Sequence, residues 1–149
     1  MQLGEPGPVL GLFGAAFLAA TMFPAQSELL LAYLLRSGAH SWWLLLVVAT
    51  AGNVLGSVVN WYLGRLIDRV RHHRWFPIGD KALERAERWH LRWGKWSLLL
   101  PWAPIVGDPL TMVAGMLRLR LLPFLALVAL AKGSRYGAVA LMMAGSSPA

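Results

Sequence analysis

The chain of 149 residues is 57% hydrophobic and 14% charged, against about 45–50% and about 25% in an average soluble domain. This composition is typical of a membrane protein, and the length has room for at most about five helical spans, so a large extramembrane enzyme domain is excluded. The absence of cysteine excludes disulfides, thiolate metal sites and thiol nucleophiles. The net charge of +7 has to be interpreted by position, because in a membrane protein the Lys and Arg residues mostly indicate which loops face the cytoplasm.

Hydropathy divides the chain into four apolar stretches and one basic segment. In chain order these are the stretches 8–35 and 42–64, the basic segment 65–95, and the stretches 96–117 and 121–145. The basic segment carries nine Lys and Arg against four acids, which predicts a cytoplasmic location. Because the first positive charge is Arg36, after the first apolar run, we expect no cleaved signal peptide.

Two of the apolar stretches, 42–64 and 121–145, are long enough to cross a ~30 Å hydrocarbon core as helices. The other two are interrupted in the middle by proline or glycine and by a carboxylate, which is unfavourable in a straight transmembrane helix. Irregular backbone at membrane depth is tolerated where protein or a wet cavity surrounds it, so we predict re-entrant hairpins at 8–35 and 96–117. The residues at the two breaks are Pro24, Glu28, Pro104, Gly107, Asp108 and Pro109.

The positive-inside rule favours the re-entrant topology. If all four stretches crossed, Arg118 and Arg120 would lie on the outer face, against that rule. If the two broken stretches enter and return, both arginines stay cytoplasmic, and only Arg36 lies against the trend. We prefer the second topology, with full crossing as its alternative.

The two broken stretches share a pattern. Pro24 and Pro104 are 80 residues apart, as are Glu28 and Asp108, and each break is followed by a long apolar stretch. Because each unit contains one spanning helix, a duplication would place the two copies in opposite orientations, with a binding site near the bilayer midplane. The alternative is that the shared offset is a coincidence.

Four charged residues lie inside the apolar stretches: Glu28, Asp108, Lys132 and Arg135. An isolated charge at the centre of a membrane helix costs roughly 2.5–3.5 kcal/mol on insertion scales, and such residues usually pair or line a wet pathway. We therefore predict that the two hairpin acids pair with the two bases around a common cavity. A purely structural ion-pair cluster is the alternative.

Small residues recur every fourth position in both long stretches, which predicts close helix packing. Asn53 and Asn60 add amide groups that we expect to bond between helices. The first stripe is Gly52, Gly56, Asn60 and Gly64, and the second is Ala129, Gly133, Gly137 and Gly145.

The basic segment contains a predicted surface helix, 81–96, with Asp80 as its N-cap. Tryptophans line one stripe of this helix and basic residues another, which is typical of an interfacial helix on anionic lipid. The same residues in a soluble protein would suggest nucleic acid, which we do not expect here. We also find no catalytic combination, phosphate loop, cofactor motif or metal-ligand pattern.

Three motifs resemble the DedA family, also called the VTT-domain or SNARE-associated Golgi protein family, and in particular its short YqaA-like branch. They are the hairpin sequence Phe23-Pro24-Ala25-Gln26-Ser27-Glu28-Leu29, the span from Gly52-Asn53 to Gly64-Arg65, and the second hairpin from Trp102 to Pro109 with Ala114-Gly115. The resemblance covers nearly the whole chain from about residue 20. It implies a bacterial inner-membrane protein with two opposed re-entrant hairpins, among relatives associated with lipid movement across bilayers and, in some members, with the proton-motive force.

The chain departs from the family at several polar positions. Many relatives carry Arg-Phe-x-Pro-x-x-Arg in the second hairpin, but here the two arginine positions hold Pro101 and Gly107. A further acid that often follows the first hairpin is replaced by His40. Glu28 is carried over directly and Asp108 is the substitute of this branch, which makes the bases the candidates for phosphate recognition: Arg118, Arg120, Lys132 and Arg135.

The sequence thus predicts an all-α polytopic membrane protein, 1–149, of two inverted repeats separated by a cytoplasmic amphipathic helix. Each repeat is a re-entrant hairpin followed by a transmembrane helix. We expect a non-enzymatic inner-membrane transporter of an anionic lipid or polyprenyl phosphate, compatible with coupling to protons or cations and with a homo-oligomer. The alternatives are a membrane scaffold that does not transport and a small-ion or solute antiporter.

Overall fold

The computed structural model describes residues 6–20, 26–66, 80–102 and 107–145. Every regular element within these ranges is a helix, as the sequence predicts. Pro24, Pro104 and most of the basic segment before Asp80 lie outside the described residues. The elements are α1 (Pro6–Ala19), α2 (Gln26–Ser37), α3 (Trp42–Arg65), α4 (Asp80–Trp93), a 3₁₀ helix (Gly94–Trp102), α5 (Gly107–Met116) and α6 (Leu121–Gly145).

The two long helices, α3 and α6, have 24 and 25 residues and are apolar enough to cross a membrane. At ~1.5 Å per residue each exceeds the ~30 Å hydrocarbon core. Their bounds match the predicted spans within one residue. The helices are antiparallel, because Leu45 near the start of α3 clusters with Tyr136, whereas Trp61 near its end contacts Phe124.

Helices α1 and α2 pack on the amino-terminal half of α3. Helix α1 runs parallel to α3, since Phe13 lies beside Gly52 and Phe17 beside Gly56. Helix α2 contacts both α3 and α6, and its Leu34 shares the apolar cluster that contains Leu45. The outer ends of α1 and α2 therefore lie at the same end of α3.

Helix α5 packs on the carboxyl-terminal half of α3, and the 3₁₀ helix packs mainly on α6 and α5. Leu98 and Ala114 share a buried cluster with Trp61, Phe124 and Val128. The helix before this region is shorter than predicted, because α4 ends at Trp93 rather than at Trp96. Gly94 has a φ of 58°, the left-handed conformation that ends many helices, and the 3₁₀ helix follows directly.

The glycines of α3 allow two helices to approach its backbone. A Cβ at Gly52 would lie 2.5 Å from the carbonyl oxygen of Phe13, and one at Gly56 would lie 2.6 Å from that of Phe17. At the other end of α3, Gly64 faces the backbone of Met112 in α5. The prediction of a close-packing stripe is correct for α3.

The second small-residue stripe does not pack in this way. A Cβ at Gly133 would meet only the Thr50 side chain, at 3.6 Å, and no described atom lies within 4 Å of a Cβ at Gly137 or Gly145. The prediction of close packing is therefore wrong for Gly137 and Gly145. Spacing alone does not reveal whether a helix faces that stripe.

We predict opposite effects for two glycine substitutions on the stability of the protein in detergent. Gly115→Ala would drive a Cβ into the backbone of Trp61, and overpacking of this kind typically costs about 1–3 kcal/mol. Gly14→Ala meets no described atom within 4 Å and improves helix propensity, so it should be neutral or stabilise by up to about 1 kcal/mol. Equal thermal shifts in the two variants would contradict the packing of α3 on α5.

A buried hydrogen bond joins α4 to the 3₁₀ helix. His90 Nδ1 lies 2.9 Å from Ser97 Oγ, and both side chains are buried. Burial lowers the pKa of His90 below its ordinary value of 6.5, because desolvation disfavours the imidazolium. The folded state therefore binds fewer protons at this histidine than the unfolded chain does.

We predict that the docking of α4 weakens as the pH falls below about 6.5, the ordinary pKa of histidine. Since the unfolded chain takes up the proton first, the contribution of His90 is present above that pH and is lost below it. Amide hydrogen exchange of α4 at pH 7.5 and pH 5.5 measures the effect. A His90→Gln variant keeps a polar group near Ser97 and should remove the pH dependence, and persistence of the dependence in that variant would exclude His90 as its source.

Candidate functional site

The middle of α6 carries three polar side chains on one face. Lys132, Arg135 and Tyr136 are spaced three and four residues apart, which brings them together on a helix. Lys132 and Tyr136 are almost fully buried, with 4% and 2% of their surface exposed. Asn53, also buried, lies at the middle of the antiparallel helix α3. If the two helices span the bilayer, these side chains lie near its midplane.

Helices α2 and α5 each begin beside this polar face with a carboxylate in the first turn. Glu28 lies in the first turn of α2 and Asp108 in that of α5. The first turn of a helix presents unpaired N–H groups and the positive end of the helix dipole, which favours a carboxylate there. The local fold thus places an acid at the start of each short helix.

Lys132 links α6 to both α3 and α5. Its Nζ lies 3.1 Å from Asp108 Oδ1 and also donates a hydrogen bond to Asn53 Oδ1. The ammonium group therefore has an ionic partner and a neutral partner. Both are needed, because a buried charge is tolerated only when it is paired and hydrogen-bonded.

Asn53 and Tyr136 continue the network towards α2. Asn53 Nδ2 donates to Tyr136 Oη at 2.7 Å, and that oxygen lies 2.9 Å from Ser27 Oγ, where either hydroxyl can donate. The residue after Ser27 is Glu28, which forms an ion pair with Arg135. One connected polar network thus runs from α5 through α6 and α3 to α2, and we call it the mid-helix network: Asp108, Lys132, Asn53, Tyr136, Ser27, Glu28 and Arg135.

The structure brings each hairpin acid to one base of α6, as the sequence predicts for these four charges. Sequence reasoning missed Ser27 and Tyr136, and it treated Asn53 only as a contact between helices. Two signals were available for them. Tyr136 follows Lys132 by four residues and so shares its helix face, and Ser27 immediately precedes the acid of the first hairpin.

The other predicted site residues lie elsewhere. Arg118 and Arg120 are exposed in the turn between α5 and α6, about 18 Å along the helix axis from Lys132 at ~1.5 Å per residue. They do not join the mid-helix network. Arg118 has a φ of 53°, because the backbone N–H groups of Arg118 and Leu119 bond back to Gly115 and Ala114 at the end of α5.

The predicted breakers also differ in role. Gly107 begins α5 and Pro109 is its third residue, in the first turn, where a missing N–H breaks no helical bond. Pro109 therefore starts this helix rather than interrupting one. Pro24 and Pro104 are not among the described residues.

The network can exchange partners because its carboxylates are not fully enclosed. Glu28 and Asp108 keep 28% and 20% of their side-chain surface exposed, against 5% for Lys132. An anion that reaches these acids can compete with them for the buried Lys132 and for Arg135, which is 16% exposed. Within the described residues there is no group of three or more potential metal ligands.

Comparisons with known proteins identify the family. The VTT domain matches residues 23–145, which include the whole mid-helix network. No solved structure matches the chain.

Curated relatives agree with the domain match. The inner membrane protein YqaA of Escherichia coli is 38% identical over 93% of this chain and 92% of its own length, and an uncharacterized protein of Haemophilus influenzae is 34% identical over 86% and 82%. Undecaprenyl phosphate transporter A of Staphylococcus aureus is 27% identical over 54% of this chain and 43% of its own length. The chain belongs to the VTT-domain (DedA) family.

Proposed function

We propose that this protein is a multi-pass transporter of the bacterial inner membrane that moves an anionic lipid, a phospholipid or a polyprenyl phosphate, across the bilayer, with proton coupling. The observation that carries the proposal is the mid-helix network, in which two bases halfway along the apolar helix α6 pair with two acids at the starts of α2 and α5. Intramembrane charges of this kind usually mark a translocation pathway. The protein acts without enzymatic chemistry.

Two inverted repeats account for the arrangement of the helices. Helix α5 begins 81 residues after α2, and α6 begins 79 residues after α3, close to the 80-residue offset of the prolines. Helices α3 and α6 are antiparallel, as opposed copies require. In each unit a short helix begins at the network, and the two short helices run from it towards opposite ends of α3.

The hairpins are re-entrant in this proposal. The outer ends of α1 and α2 lie at one end of α3, and α5 contacts its other end. Helix N-termini at the midplane, directed at an anionic group, are a recurrent device of transporters built from inverted repeats. The basic segment and α4 then lie on the cytoplasmic face.

The proposed mechanism is an exchange of anions on the two buried cations. The headgroup displaces Glu28 from Arg135 or Asp108 from Lys132, and the displaced carboxylate takes up a proton. When the headgroup is released on the other side, the carboxyl group loses its proton to that side and the carboxylate pairs with its cation again. The arginines usual in the second hairpin of the family are absent, so Lys132 and Arg135 supply the positive charge.

The relatives support the lipid class. The Staphylococcus aureus relative is named an undecaprenyl phosphate transporter, and its partial match extends a lipid carrier role to this chain as a proposal. A scaffold role and a small-ion antiporter remain the alternatives. Reconstitution separates the three: labelled lipid crosses the vesicle in the first, no flux occurs in the second, and ion flux occurs without lipid movement in the third.

We predict that single cysteines beside Lys81, Arg118 and Arg120 are labelled from the cytoplasmic side by an impermeant thiol reagent. A cysteine at Gly38, in the turn before α3, should be labelled from the other side only. The reason is that re-entrant hairpins leave the turn between α5 and α6 on the side of α4. Labelling of Arg118 and Lys81 positions from opposite sides would mean that 96–117 crosses the membrane, contradicting the repeat.

We predict that neutralising one acid destabilises the protein and that neutralising its partner as well restores stability without transport. Removal of one partner leaves the other charge unpaired, so Glu28→Gln should lower the thermal stability in detergent more than Glu28→Gln with Arg135→Gln does. The same holds for Asp108→Asn with and without Lys132→Gln. The loss in Glu28→Gln should be smaller than the cost of about 3–5 kcal/mol typical of a fully buried pair, because the Arg135 and Glu28 side chains are 16% and 28% exposed. Lipid movement in vesicles is measured beside stability for each variant.

Tyr136→Phe is the matched control. It removes a hydroxyl that bonds both Asn53 and Ser27 and should cost about 1–3 kcal/mol while all four charges stay in place. Its loss of stability therefore measures the hydrogen bonds of the network apart from its ion pairs. A stable double mutant with full transport would assign the charges a structural role. Single mutants with wild-type stability and transport would contradict the pairing itself.

A further inference from the structure

An apolar groove lies between α2 and the carboxyl-terminal half of α6, at the end of the molecule opposite the basic segment. Its volume is about 620 Å³, within the range of about 300–1,000 Å³ that is common for ligand sites. Most of its walls are aliphatic. Its lining includes Arg36, Trp42, Gly137, Ala140 and Leu141.

The groove exists because none of the described helices covers the Gly137 face of α6. No described atom lies within 4 Å of a Cβ built there, whereas the glycines of α3 face the backbone of a neighbouring helix. Gly137 therefore provides space, not a helix contact. Gly137, which lines the groove, follows Tyr136 of the mid-helix network in the sequence.

The mouth of the groove has the features of a headgroup site. Arg36 is exposed in the last turn of α2 and forms no ion pair with any described residue. It is also the cation that lies against the positive-inside trend in the preferred topology. Trp42 beside it is 51% exposed and stacks on Trp43, and exposed tryptophans at a helix end favour the depth of the lipid headgroups.

We propose that this groove binds one hydrocarbon chain of an anionic phospholipid whose phosphate rests on Arg36. At ~30 Å³ for a group the size of a water molecule, the groove accommodates on the order of 20 methylene groups, which corresponds to one chain. Guanidinium is well suited to a phosphate group, and the aliphatic walls match the chain. The inference rests on the proposed function and deepens it, because it assigns the site on α2 and α6 at which the lipid binds before it reaches the network.

Photo-crosslinking tests the position of the chain. The full-length protein is reconstituted in phosphatidylcholine vesicles that contain a small fraction of phosphatidylglycerol with a photoactivatable group in one acyl chain, and labelled peptides are mapped by mass spectrometry. Labelling should concentrate on 137–144. Gly137→Leu fills the groove and should reduce this labelling severalfold, while Gly145→Leu, equally open but outside the groove, should leave it unchanged.

Exchange of the headgroup and of Arg36 tests the anionic part. Arg36→Gln is a surface change, and it should reduce labelling by the phosphatidylglycerol probe about fivefold, whereas Arg36→Lys should retain most of it. A phosphatidylcholine probe with the same chain should label wild type as weakly as the anionic probe labels Arg36→Gln. Equal labelling by both probes, or labelling of 137–144 unaffected by Gly137→Leu, would overturn the proposal.

The result is distinguishable from failure of the proposed function. Crosslinking measures occupancy and needs no lipid movement. The predicted labelling in a protein that moves no lipid would support the groove and contradict transport. Transport with labelling spread evenly over the apolar surface would support the function and overturn the groove.

Discussion

The need to neutralise Lys132 constrains the rest of the structure. A buried ammonium group requires both a counter-charge and hydrogen-bond acceptors, and in this chain they come from α5 and α3. Helix α5 must therefore begin beside Lys132, and α3 must pass close enough for Asn53 to contact it. Arg135 imposes the same requirement on α2 through Glu28. The contacts of one helix thus determine where α2 and α5 begin.

The sequence predicts most of this arrangement because the strongest signals in a membrane chain are local. Hydropathy predicts the spans α3 and α6. The cost of isolated charges in a membrane predicts that Glu28 and Asp108 pair with bases. The end of α4 at Gly94 and the 3₁₀ helix that follows depend on one positive φ, which a hydropathy pattern does not contain. Tyr136 and Ser27 were missed because a hydroxyl in an apolar helix becomes informative only when its partner on another helix is known.

The contrast between the two small-residue stripes shows the same limit. Small residues recur at intervals of four in both stripes, yet Gly52 and Gly56 face a backbone and Gly137 faces open space. Spacing identifies a face of a helix, and only the neighbouring elements decide whether that face is a contact or a groove. Arg118 and Arg120 were grouped with the buried bases by charge alone, although the turn between α5 and α6 keeps them at the surface.

The pairing of charges also has an electrical consequence. Two acids and two bases have no net formal charge, and while they stay paired they move little net charge along the membrane normal of the proposed transporter. Separation of a single pair changes this, because one elementary charge that crosses the whole membrane field exchanges about 2.3 kcal/mol with each 100 mV. In the proposed transporter, any step that moves one member of a pair along the membrane normal without its partner is therefore driven or opposed by the membrane potential, and a proton taken up by the freed carboxylate changes the charge that the field acts on.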